Sequence, residues 1–224
     1  MTKNYIMARK KNITKQSITE MYMDYYLINN EAPKSVYQFA QQNNFSEKDF
    51  YEYFGTFTAI EQYVFVSFFD QSMALLEKSE EYAAFDYRNK LLSFYFTYFE
   101  LLSANRSFVL LLLKENYKHW NTMTSLSLLK KEYNAYIKGL NIETLELKEK
   151  KLERFQEKSI EQSLWMQFLI TLNFWKNDAS PSFEKTDVFI EKSINTGFDL
   201  LDVKPLKSII DLGKFIFHEK ISMN

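Results

Sequence analysis

Ser35-Val36-Tyr37-Gln38-Phe39-Ala40, followed by Phe45-Ser46-Glu47-Lys48-Asp49-Phe50-Tyr51-Glu52-Tyr53-Phe54-Gly55, is the stretch that decides the fold. Ser35 and Gln38 have capping-box spacing, a hydroxyl followed three residues later by an amide. They open a short helix over Ser35 to Asn43 that turns Val36, Phe39 and Ala40 inward. Phe45-Ser46 breaks it. Ser46 to Asp49 repeats the start signal and opens a second helix through Phe54, which Gly55 ends. Two short helices around a three-residue break have the outline of a helix-turn-helix, whose second helix is presented to the DNA major groove.

The flanks extend the same pattern. Ile13 to Asn30 places Ile18, Met21, Tyr22 and Tyr25 on one helical face. Thr56 or Thr58 caps a long helix through about Lys78. Further helices are expected over Arg88 to Ser103, Ser107 to Lys118, Thr124 to Lys138, Leu147 to Lys176, Ser182 to Leu201 and Leu206 to Lys220. Ser180 is the expected N-cap before Pro181. Only four Gly and three Pro interrupt 224 residues, which suits long helices. No segment alternates with period two. The reading is an all-α chain of about nine to ten helices: a three-helix head over 1–55 and a helical bundle body over 56–224.

The residues of the head resemble those of TetR-family regulators. That family shows a hydroxyl before an apolar residue, an Ile-Ala pair, a Val-Ser turn and an aromatic ending. Phe39-Ala40, Phe45-Ser46 and Phe50-Tyr51-Glu52-Tyr53-Phe54 take those places in order and spacing. The resemblance implies a homodimeric, DNA-binding transcriptional regulator controlled by a hydrophobic small molecule or lipid. It implies DNA contacts from Lys34, Ser35, Ser46, Lys48, Asp49, Tyr51 and Tyr53, with Tyr53 alternatively packing on the fourth helix. It also implies a ligand pocket lined by Phe94, Tyr98, Phe108, Leu112 and Trp120, although a ring at helical spacing more often builds plain core. The facing stripes Trp165, Phe168, Leu169 and Leu172, with Phe189 and Phe198, either pair with a second copy or pack within one.

Charge complicates the reading. The net charge is −1, where a protein that coats DNA is far more basic. Over residues 31 to 54, two lysines (Lys34 and Lys48) face four acids (Glu31, Glu47, Asp49 and Glu52). A glycine of the family pattern is replaced by Asn44, which tolerates the left-handed conformation. A lysine common at the start of the fourth helix is replaced by Phe57. The cations Lys3, Arg9, Lys10, Lys11 and Lys15 either reach an adjacent groove, as homeodomain arms do, or form a solvated terminus.

A second resemblance points elsewhere. Trp175-Lys176-Asn177-Asp178, Ser180-Pro181, Phe183-Glu184 and Thr186 are similar to the body of a regulator-like group that includes lipid-binding accessory proteins of ubiquinone synthesis. It implies an alternative function: a lipid-binding accessory protein that no longer uses DNA.

Other classes are disfavoured. The chain has no cysteine, so disulfides, thiolate metal sites and cysteine nucleophiles are excluded. Only His119 and His218 occur, and Glu115 with His119 is an isolated pair. No glycine-rich phosphate loop exists. Neither an enzyme, a cofactor nor a metal is expected. No apolar run is long enough to span a membrane, and no signal peptide is recognised, so a cytoplasmic location is expected. The amphipathic segment 206–221 either docks on the bundle or lies on a membrane surface.

Overall fold

The computed structural model describes residues 13–115, 124–142 and 150–201. Among these residues there are ten α-helices and no strand, so the chain is all-α as its sequence suggests. They gather into two compact units, one drawn from Met1–Phe65 and Asn105–Ser125, the other from Val66–Ala104 and Leu126–Asn224.

The first unit contains α1 (Lys15–Asn29), α2 (Val36–Gln42), α3 (Glu47–Tyr51), the start of α4 (Phe57–Leu76) and α7 (Arg106–Glu115). Each short helix begins where a hydroxyl can satisfy amides that have no intrahelical partner. Thr14 and Ser17 form a reciprocal box at the start of α1. Ser35 Oγ accepts the Gln38 N–H at 3.2 Å, although the return bond expected from Gln38 is absent. At α3 the box is complete: Ser46 Oγ accepts the Asp49 N–H, and an Asp49 oxygen accepts both the Ser46 N–H and hydroxyl at 2.9 and 2.7 Å. Asn44, at φ 59°, takes the left-handed turn between α2 and α3. Thr56, of the two candidate threonines, caps α4.

Rings fill this unit. Phe39 lies 5.6 to 6.3 Å from Tyr22, Phe45, Phe50 and Phe57. Phe57 stacks on Tyr22 at 5.5 Å. The phenylalanine at this position is partly buried and packs its ring on the core. Tyr26 rather than Tyr25 completes the buried face of α1, against Phe108 of α7.

The second unit holds the rest of α4, with α5 (Glu80–Ala84), α6 (Tyr87–Ala104), α8 (Ser127–Gly139), α9 (Lys150–Asn177) and α10 (Glu184–Leu201). Helix α10 packs on α6 and α9, and α8 packs on α9. Phe168 is the hub, within 5.3 to 5.8 Å of Tyr95, Tyr98, Phe99, Tyr133 and Trp165. The polar ends of these rings are paired, as burial demands. Tyr95 and Tyr133 share a hydrogen bond of 2.9 Å, and the Tyr95 hydroxyl donates to Gln167 Oε1. Gln167 Nε2 then donates to Thr171 and Ser193. Tyr82 and Tyr136 form a second pair, and Tyr136 donates to the Lys90 carbonyl. Burial pushes the Tyr95, Tyr98, Tyr133 and Tyr136 hydroxyls well above the usual phenol range, so they stay protonated.

Three boundaries differ from the sequence reading. Helix α3 stops at Tyr51 rather than Phe54. Helix α5, capped by Ser79, was not expected, because five residues are too few to show a period. Helix α10 begins at Glu184, after a 3₁₀ turn over Pro181–Phe183. The expected helix over 206–220, Trp120 and the basic residues 3 to 11 lie outside the described residues.

Because Phe39 joins α1, α2, α3 and α4, Phe39→Ala should cost about 3–5 kcal/mol of stability. The half-exposed Phe85→Ala should cost under about 0.5 kcal/mol. Denaturant midpoints measured on the two variants check both.

Candidate functional site

Helices α2 and α3 bury Phe39, Ala40 and Phe50 and leave their polar residues outside. Lys34, Ser35, Ser46 and Lys48 are exposed. Tyr51 is 54% exposed, with its ring edge against Phe50. Asp49 is already committed to Ser46, so of the acids around α3 it is the one whose oxygens are spent on the helix start. Tyr53 remains exposed, but its hydroxyl donates to the Ile13 carbonyl at 3.2 Å. It ties the residue before α1 to the end of α3. Lys15 sits 3.8 Å from the centroid of the Tyr63 ring and 5.6 Å from that of Phe54. Tyr37, 61% exposed on α2, was missed. The signal was present, since Val36, Phe39 and Ala40 define the inward side and position 37 falls off it.

The expected ligand-pocket residues are not brought into one unit. Phe94 and Tyr98 stack at 5.5 Å inside the second unit. Phe108 and Leu112 are buried in the first, where Phe108 meets Tyr22 and Tyr26 edge-on. Four of these residues are thus core by burial, and Trp120 lies outside the described residues.

The expected self-pairing residues also turn inward. Trp165, Phe168, Leu169, Leu172 and Phe198 are buried within their own protomer. Phe189 stacks on Phe174 at 4.4 Å and stays partly exposed. Apolar side chains that do face solvent on these helices are Met166 and Ile170 of α9 and Val188 of α10. Ser159, Ser163, Met166 and Ile170 follow one helical stripe along an open groove of about 510 Å³. The sequence reading chose the larger residues, and size tracks burial in the protomer's own core.

Between α6, α9 and the start of α10 lies a separate cleft of about 260 Å³. Thr186, on its lining, is held by Asp178 of the adjoining turn. One Asp178 oxygen accepts the Ser180 N–H and hydroxyl at 2.8 and 2.7 Å, and the other accepts the Thr186 N–H and hydroxyl at 2.9 and 2.7 Å. Burial works against the charge, but these four bonds outweigh it and hold the carboxyl at about 2, below its ordinary 3.8. Asp178 therefore shares the capping role expected of Ser180. The clamp closes a turn in which two consecutive side-chain-bearing residues, Ser182 and Phe183, are left-handed, at φ 51° and 60°. Such a conformation persists where its surroundings over-determine it.

Residues 90–216, more than half of the chain, match the domain family described as tetracyclin repressor-like, C-terminal domain. The chain belongs to the TetR family. The match covers the ring-packed helical body, and the head lies outside it. No curated protein matches this TetR-family chain. The narrower likeness to accessory proteins of ubiquinone synthesis finds no support in the comparisons, which stop at the family. Among the described residues, no helix is by itself long and apolar enough to cross a membrane, and no group of three His, Asp or Glu is placed to hold a metal ion.

Asp178 makes stability depend on acid in a set direction. Its carboxyl is depressed on folding, so its contribution is present above the ordinary 3.8 and is lost as pH falls towards about 2. Asp178→Ala should cost about 1–2 kcal/mol at neutral pH, as for a lost helix cap. It should also flatten that part of the stability profile, which urea titrations at stepped pH would record.

Proposed function

We propose that this TetR-family chain is a transcriptional regulator that binds operator DNA as a homodimer, acts in the cytoplasm and is controlled by a hydrophobic small molecule or lipid. The observation that carries the reading is the α2–α3 pair. Both helices are capped, share the Phe39–Phe50 core, and expose Ser35, Lys48 and Tyr51 where a major groove is read. Its acid excess remains, with the Asp49 carboxylate turned onto Ser46 at the helix start. Ser35 and Tyr51 supply neutral hydrogen bonds to phosphate, and Lys48 supplies charge. Regulators of this kind need no reaction, and we assign the chain none.

Self-pairing is proposed through the outward stripe of α9 with α10, using Met166, Ile170, Val188 and the Phe174–Phe189 stack rather than the larger buried rings. An isologous pair of such faces is the commonest oligomer geometry. A ligand bound in the body alters DNA affinity to the extent that it prefers one of two body conformations.

Two measurements test this. On DNA from the promoter of its own gene, fluorescence anisotropy should show sequence-selective binding that weakens with salt. Lys48→Ala combined with Tyr51→Phe should lower affinity about tenfold or more and reduce the salt slope by about 1, with the melting temperature unchanged. Wild-type protein that ignores its promoter defeats the proposal. Separately, Ile170→Glu should convert a dimer to a monomer in sedimentation runs while the helical circular dichroism is retained. A dimer that survives the substitution removes this face from the interface.

A further inference from the structure

The α2–α3 surface is short of positive charge, and the sequence before α1 is rich in it. Over residues 31 to 54 two lysines meet four acids, whereas residues 1 to 12 hold Lys3, Arg9, Lys10 and Lys11 and no acid. A specific DNA binder neutralises about 6–10 phosphates. Lys34 and Lys48, doubled in a dimer, give four cations. The remainder has to come from outside the two helices.

Three consecutive residues fix where the basic stretch leaves the head. The Tyr53 hydroxyl donates to the Ile13 carbonyl at 3.2 Å. The Thr14 N–H donates to Ser17 Oγ at 2.9 Å, and Thr14 Oγ1 accepts the Ser17 N–H at 3.1 Å. The Lys15 ammonium lies 3.8 Å from the Tyr63 ring centroid and 5.6 Å from that of Phe54, so this cation is turned back onto the head. As a folding contact the Tyr53 bond adds little: it is exposed, and α1 already has its own capping box. Its geometric effect is larger. Tyr53 stands two positions after Tyr51, so it sets the exit point of the chain beside the end of α3. Lys11, Lys10 and Arg9 come two, three and four residues before Ile13. Even fully extended backbone carries them at most about 14 Å from it, close to the roughly 12 Å width of a major groove. Wherever α3 meets DNA, these three cations are confined to its neighbourhood.

We propose that Arg9, Lys10 and Lys11 bind DNA phosphates beside the groove that α3 enters, and that Tyr53 is their positioning residue, holding Ile13 rather than touching phosphate itself. The inference rests on the DNA-reading role proposed above and adds to it a source for the missing charge. Fixing the exit point in the free protein removes part of the ordering cost of binding.

The test is fluorescence anisotropy of full-length protein on its promoter DNA over a salt series. Four proteins are compared: wild type, the triple variant Arg9→Ala, Lys10→Ala and Lys11→Ala, the single variant Tyr53→Phe, and the two combined. The triple variant should bind about tenfold or more weakly. Its slope of log affinity against log salt should fall by about 0.9 for each cation lost from a phosphate, so by about 2 or more. Tyr53→Phe keeps the ring and should weaken binding by about threefold, the cost of one exposed hydrogen bond. On the triple background the same substitution should do nothing, because there is no longer a charge to position. Circular dichroism melts confirm that each variant is folded. A triple variant with wild-type affinity and slope overturns the proposal. So does a Tyr53→Phe change with no effect, or one whose full effect persists on the triple background, as a direct phosphate contact would. Wild-type protein that ignores the DNA ends the DNA-reading role and this inference together, whereas wild-type binding with an indifferent triple variant ends this inference alone.

Discussion

The ring-packed core of the second unit buries tyrosine hydroxyls that need hydrogen-bond partners, and the packing of its helices follows from that demand. Phe168 gathers five rings within 6 Å. Three of them, Tyr95, Tyr98 and Tyr133, are tyrosines buried away from water. The chain meets the demand by running Tyr133, Tyr95, Gln167, Thr171 and Ser193 into one hydrogen-bonded line across α8, α6, α9 and α10. Apolar packing alone tolerates sliding of one helix on another. A line of directional bonds does not, so it fixes the register of four helices that share only generic hydrophobic faces.

The first unit uses the same material differently. Phe39 and Phe57 hold α1 to α4 through edge and stacked ring contacts, joined by the Tyr22 hydroxyl donating to Glu61 at 2.9 Å, while other hydrogen bonds cap the helix starts. The division is physical. A five-residue helix such as α3 cannot be stable on its own, so it needs a cap at one end and a buried Phe50 in the middle.

The caps at Thr56 and Ser46, the left-handed Asn44 and the inward Phe39 were legible in the sequence, because each depends on residues within four positions of one another. The Asp178 clamp was not, since it joins Asp178 to Thr186 across a turn whose φ angles no residue type announces. The division of Phe94 from Phe108 was equally hidden: both read as aromatic residues on adjacent helices, and only tertiary packing assigns them to different cores. The inward rotation of Trp165 and Phe168 was hidden for a related reason. On a helix apolar over much of its second half, period alone cannot say which stripe faces the protomer and which faces out.

The engagement of Asp49 by Ser46 has a consequence for how the recognition helix can change. Two of the positions that open α3 are occupied in keeping it folded, and Phe50 is occupied in anchoring it. The exposed positions left there are Lys48, Tyr51 and Glu52 at its end. Any change to the outward face of α3, by natural drift or by deliberate redesign, has to be written in an alphabet of three letters, with α2 supplying the remainder.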